Sequence, residues 1–138
     1  MWLLFALLAA VTAAIMTIVA KIGLKGIDPT FATGVRSAFM FLFMACVVLV
    51  SGKLKGLTTL DQKSFWIIVA SAIFGALSWL FYFLALRDAS ASKVAAIDRL
   101  SLVFVILFSV LFLADKLTIK LALGGVLTTI GIILIALG

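Results

Sequence analysis

The sequence predicts an all-α membrane protein with five transmembrane helices. Its 138 residues are 67% hydrophobic and 12% charged, whereas a soluble chain carries roughly 25% charged residues. The apolar residues fall in five blocks, 2–20, 30–50, 65–86, 94–113 and 121–137, and nearly every charge lies in the four gaps between them. Each block has about the 20 residues a helix needs to cross a hydrocarbon core of about 30 Å. Residues 1–138 therefore read as a single transmembrane domain, with helices at about 2–20, 30–50, 65–86, 94–113 and 119–137.

Each element has a local signature. The first block follows Met1 directly, without the basic start of a signal peptide, and runs to transmembrane length, so it reads as a span. Gly23 and Gly26 release this helix, and Asp28-Pro29 restarts the chain with a cap and a first-turn proline. The second helix stops at Ser51-Gly52. In the longest gap, Thr59 followed by Gln62 fits a capping box, so the third helix is expected to begin before its apolar part. It ends near Arg87-Asp88. Ser90 and Ser92 are candidate caps for the fourth helix, and Thr118 for the fifth.

Composition excludes several functions. The chain has no His, no Glu and no Asn, and one cysteine, Cys46. Transition-metal sites draw on His, Cys and carboxylates, so neither a metal nor another cofactor is expected. No nucleophile–base set is visible, so no catalytic residue is assigned and no enzyme is expected. The net charge of +6 is spread over gaps and helix ends, which suits anionic lipid headgroups rather than nucleic acid.

Five crossings place the chain ends on opposite sides of the membrane. An odd-numbered unit of this kind is half of a ten-helix inverted-repeat transporter fold. The basic residues of the gaps divide four against five between the two sides, and six against five once Arg36 and Arg99 are added. So weak a bias specifies orientation poorly and allows antiparallel pairing. Small residues recur at helical spacing: Ala6, Ala10 and Ala14 in the first helix, Ser71 and Gly75 in the third, and Gly124, Gly125 and Thr128 in the fifth. They serve either packing within one bundle or, for the fifth helix, an interface with a second subunit.

Three charges lie inside blocks: Arg36, Asp98 and Arg99. A charge at the bilayer centre costs at least a few kcal/mol, so each needs a partner, a cavity or a route to the interface. Arg36 lies seven positions after Pro29, and Asp98 and Arg99 lie five and six after Lys93. The gaps before them are two crossings apart, so all three sit on one side, roughly 7–10 Å deep at about 1.5 Å per residue. One reading is structural: the arginines snorkel, and the helix dipole favours Asp98 near a helix start. The other is a substrate pathway in which Asp98 faces Arg36 and, as the only carboxylate within a block, serves coupling to protons. Trp79, Phe81, Tyr82 and Phe83 end the third helix on that side, as an interfacial belt or as an aromatic wall of the pathway. Pathway candidates are thus Arg36, Trp79, Tyr82, Asp98, Arg99 and Ser101.

The stretch Phe81-Tyr82-Phe83-Leu84-Ala85-Leu86, then Ala89-Ser90-Ala91-Ser92-Lys93 through Asp98-Arg99-Leu100-Ser101, then Phe112-Leu113-Ala114-Asp115-Lys116-Leu117-Thr118 and Gly124-Gly125, resembles the EamA domain of the drug/metabolite transporter superfamily. The turn Gly26-Ile27-Asp28-Pro29 with Arg36-Ser37 resembles that family's first hairpin. The likeness covers essentially the whole chain. Most relatives carry two such domains, and this chain resembles the stand-alone single-domain branch. Asp115 stands where many relatives have Glu. The fourth helix lacks the proline that many relatives carry after the serine, so no kink is expected there. The related small multidrug exporters use a glutamate in the first helix. None is present here, so that coupling scheme does not carry over.

The resemblance implies a multi-pass protein of the cell's inner (cytoplasmic) membrane. It would be a subunit of a small-molecule (metabolite or drug) transporter, an exporter working by alternating access as a dimer. Its partners would be membrane lipid, a small-molecule substrate and a second subunit, as an antiparallel homodimer or a paired chain. A non-transporting scaffold or accessory subunit and a lipid-linked-sugar flippase subunit remain the alternatives.

Overall fold

The computed structural model describes residues 1–57 and 59–138, with Lys55 and Leu57 described through their backbone alone. The regular elements among these residues are helices: α1 (Trp2–Gly23), α2 (Pro29–Val50), a 3-10 turn (Lys53–Leu57), α3 (Gln62–Asp88), α4 (Ala91–Asp98), α5 (Leu100–Phe112) and α6 (Ile119–Leu137). Five stretches are long and apolar enough to cross a membrane: α1, α2, α3, α6, and α4 with α5 as one span over Ala91–Phe112. Hydrocarbon offers no hydrogen-bond partners, so a spanning backbone must pair within its own helix.

The helix starts are built by side chains. Asp28 accepts a hydrogen bond from the Phe31 N–H at 2.9 Å, with Pro29 opening α2. Thr118 accepts from the Leu121 N–H at 3.2 Å. Ser90 occupies the N-cap position of α4 without a side-chain capping bond, its hydroxyl lying 3.4 Å from that of Ser92. The start of α3 departs from the capping box expected at Thr59 and Gln62. The Thr59 hydroxyl donates back to the Gly56 carbonyl, and it is the Asp61 carboxylate that accepts from the Ser64 N–H, at 3.1 Å. A carboxylate is the better acceptor for a free N–H at the positive end of a helix, so Asp61 takes the role.

The helix ends use left-handed residues. Gly26 (φ 75°) and Gly52 (φ 65°) follow α1 and α2, and Gly52 donates to the Leu49 carbonyl at 3.1 Å. After α5 that position is taken by Ala114 (φ 55°), where a side chain makes the left-handed conformation costly. The turn is held by the Asp115 N–H, which donates to the Ser109 carbonyl at 3.2 Å.

The fourth span departs from the uninterrupted helix expected over 94–113. Arg99 (φ −68°, ψ −10°) separates α4 from α5. There the Arg99 N–H donates to Ala96 and the Leu102 N–H to Arg99, both at 3.0 Å. These are three-residue bonds, a local 3-10 tightening of the kind found at hinges and strained sites. The interruption arises without a proline.

The chain divides into two compact units, one of Ala20–Arg87 and one of Met1–Val19 with Asp88–Gly138. In the first, the buried residues are Leu24, Pro29, Thr33, Phe83 and Leu86. The Lys21 ammonium donates to the Leu86 carbonyl and to the Arg87 carbonyl. These belong to the last turn of α3, whose carbonyls lack helical partners and form the negative end of the dipole. In the second unit, α4 and α5 pack against α6, burying Val94, Ala96, Gly125 and Ile132. Gly125 lies against α5, where an added Cβ would meet Ile106 Cδ1 at 3.6 Å, an ordinary van der Waals contact. Large apolar side chains elsewhere, such as Phe39 and Phe41 on α2 and Phe108 and Phe112 on α5, stay exposed. Lipid tails solvate such groups as well as a protein core does.

The Asp61 cap gives a pH prediction. The hydrogen bonds from Ser64, side chain first and then backbone, hold its carboxyl below the ordinary carboxylate range. A carboxyl depressed in the folded state stabilises it above the unfolded value of about 3.9, and that contribution fades as pH falls through the lower folded value. NMR titration in micelles should give Asp61 a midpoint below about 3.9, with the Ser64 amide shifting in step. Asp61→Asn keeps an acceptor and should remove the pH dependence. An Asp61 midpoint at the ordinary value, or a Ser64 amide that does not follow it, counts against the cap.

Candidate functional site

The first unit brings Arg36 and Trp79 together. Arg36 lies two turns into α2, about 10 Å past Pro29 at about 1.5 Å per residue. Its guanidinium carbon sits 4.0 Å from the centroid of the Trp79 ring and 5.6 Å from that of Phe83. Trp79 is positioned by its own helix. Tyr82 and Phe83, three and four residues on, meet its ring edge-on at 5.6 and 6.3 Å, with interplanar angles of 73° and 74°. The three rings form one aromatic ridge on α3. Their quadrupoles favour this edge-to-face arrangement, and the face of Trp79 then receives the cation.

The polar side chains beside Arg36 are turned to the backbone. The Thr33 hydroxyl donates to the Pro29 carbonyl at 2.7 Å, and the Ser37 hydroxyl to the Thr33 carbonyl at 2.8 Å. The carboxylates of this unit are Asp28 and Asp61, and each caps a helix. Among the described residues of the unit, the contacts of Arg36 are thus with ring faces.

The second unit holds Asp98, Arg99 and Ser101. Asp98 ends α4, Arg99 is the junction and Ser101 lies in the first turn of α5. All three are exposed. The two charges thus sit at the 3-10 interruption of the fourth span, Asp98 just before it and Arg99 within it. Of the three interface candidates, Gly125 is buried against α5. Gly124 is exposed with open space around it, and the Thr128 hydroxyl donates to its carbonyl at 2.8 Å. One contributor escaped the sequence reading. Lys21 counts there only as a gap charge, although its place in the last turn of α1 could have flagged a partner for helix-end carbonyls. Phe83, expected in the aromatic set at four-residue spacing from Trp79, is the second ring near Arg36.

The sequence matches the EamA-like transporter family over residues 1–137. It is also similar to an uncharacterized transporter in the cobO 3′ region of a Sinorhizobium species, with 34% identity over 135 residues. That match covers 98% of this chain and 96% of the relative. No solved structure matches.

A desolvated cation–π contact contributes about 2 kcal/mol and an exposed one about 0.5–1 kcal/mol. A double-mutant cycle of Arg36→Gln with Trp79→Leu, read by SDS-induced unfolding of the reconstituted protein, should give a coupling energy of about 1–2 kcal/mol. Additive effects of the two changes would show that the ring does not hold the guanidinium.

Proposed function

The chain belongs to the EamA-like transporter family, a family of transporters rather than enzymes, and we propose that it is one half of a small-molecule exporter of the inner membrane that works by alternating access as an antiparallel dimer. The observation that carries this reading is the odd number of spans, five. Two five-span units in opposite orientations are related by a two-fold axis in the membrane plane, with a pathway between them near the midplane. The match to 96% of the Sinorhizobium relative supports pairing of separate chains, since that protein has the length of one such unit. Gly124 and Thr128 on α6 supply the contact between subunits. Arg36, Trp79, Tyr82, Asp98, Arg99 and Ser101 serve the pathway.

Orientation is testable directly. A cysteine at Gly138 in a Cys46→Ser background should react with impermeant maleimide from both sides of the membrane. Labelling from one side only would reject the antiparallel homodimer and point to a partner chain of opposite orientation or to a parallel assembly.

Asp98 is the carboxylate proposed to couple export to protons. A metabolite screen of cells with and without the protein supplies the substrate for vesicle assays. With it, Asp98→Asn should abolish transport driven by a pH gradient while insertion is retained. An unchanged dependence on the gradient would remove Asp98 from the mechanism.

A further inference from the structure

We propose that Arg36, held on the face of Trp79, is an oxyanion-recognition site that takes the carboxylate or phosphate group of a small solute. The inference deepens the transporter reading and rests on it, since it names the chemistry of the cargo. A guanidinium stays charged at any relevant pH and carries five N–H donors in one plane. The Arg36 Cζ lies over the Trp79 ring, 4.0 Å from the centroid, and a π-face attracts the cation without offering it a carboxylate or phosphate oxygen. In the unit of Ala20–Arg87, the two carboxylates are occupied with the Phe31 and Ser64 N–H groups, and the neighbouring hydroxyls donate to backbone carbonyls. Among the described residues of the unit, the cation in this apolar span is thus given a π-face and no anion. A carboxylate or phosphate fits a guanidinium with two parallel hydrogen bonds.

The aromatic ridge also orders the site. Tyr82 and Phe83 fix the Trp79 ring, and the ring fixes the guanidinium. An anion arriving from water then meets donors already arranged, so little ordering cost falls on binding. The same chemistry occurs in two sources, the oxyanion of a dissolved solute and the phosphate of a lipid headgroup.

The test uses the full chain in phosphatidylcholine nanodiscs. Trp2→Phe and Trp66→Phe leave Trp79 as the single indole of the three tryptophans, so its fluorescence reports the site alone. Benzoate and inorganic phosphate are the probes, and benzamide is the neutral control. A saturable change with benzoate or phosphate, absent with benzamide, is expected. Arg36→Lys keeps the charge and loses the fork, and should weaken binding about tenfold. Arg36→Gln should abolish it, with circular dichroism confirming helix content in both. A change produced instead by adding phosphatidylglycerol, with no effect of soluble anions, assigns the same site to a headgroup. The proposal is overturned if no oxyanion acts on the parent protein or on its Asp98→Asn variant, in which that internal carboxylate cannot compete. An equal response to benzamide also overturns it. Binding is read here without transport or orientation, so this inference can fail while the exporter reading stands, and the reverse.

Discussion

The constraint on which the rest of the structure depends is that hydrocarbon cannot hydrogen-bond. It fixes the choice of helices, and it also fixes what the hydroxyls do. Thr12 donates to Leu8, Thr17 to Ala13, Thr33 to Pro29, Ser37 to Thr33, and Thr129 to Gly125, each to the carbonyl four residues back. In a soluble protein such back-bonding competes with water. Within a bilayer it is the cheapest way to satisfy a buried O–H, because the partner is already in place on the same helix. The result is a set of spans that carry hydroxyl residues and yet present almost entirely apolar surfaces.

Charges cannot be absorbed in this way, so each is placed against a different kind of partner. Lys21 is placed against the carbonyl-rich end of α3, where a cation complements the dipole and meets acceptors that α3 leaves without helical partners. Asp28 and Asp61 are placed at N-caps, the mirror-image solution. Arg36 receives aromatic faces, which offset its charge through the ring quadrupole. Asp98 and Arg99 sit where the fourth span tightens into 3-10 geometry. Transporters place solute and ion sites at interrupted helices because irregular backbone is tolerated only beside a cavity or protein.

Much of this was legible in the sequence because it is written in residue type and spacing. Apolar block length and gap charges identify five spans. Asp28-Pro29 and Thr118 announce their caps. The motifs from Phe81 to Gly125 point to the family. The cap at Asp61 was missed because a Thr–Gln spacing fits a capping box equally well, and only the backbone geometry at the start of α3 decides which oxygen meets the free N–H. The interruption at Arg99 was missed because proline is the usual sequence mark of a kink. Here the change is a shift of ψ to −10° in residues that are all compatible with a helix. The Arg36–Trp79 contact joins residues 43 positions apart, a pairing that no periodicity encodes.

The two glycines of α6 show how the same sequence signal can fall in two different surroundings. Gly124 and Gly125 are adjacent, so they point about 100° apart on the helix. Gly125 faces α5 and is buried there, close to Ile106. Gly124 faces open space, with Thr128 one turn on and its hydroxyl already bonded to the Gly124 carbonyl. A small-residue stripe therefore cannot be assigned as a unit. One side of α6 joins the helices of the chain, and the other keeps a narrow strip where a second backbone can approach closely. Van der Waals packing of that kind is what drives helices together in lipid.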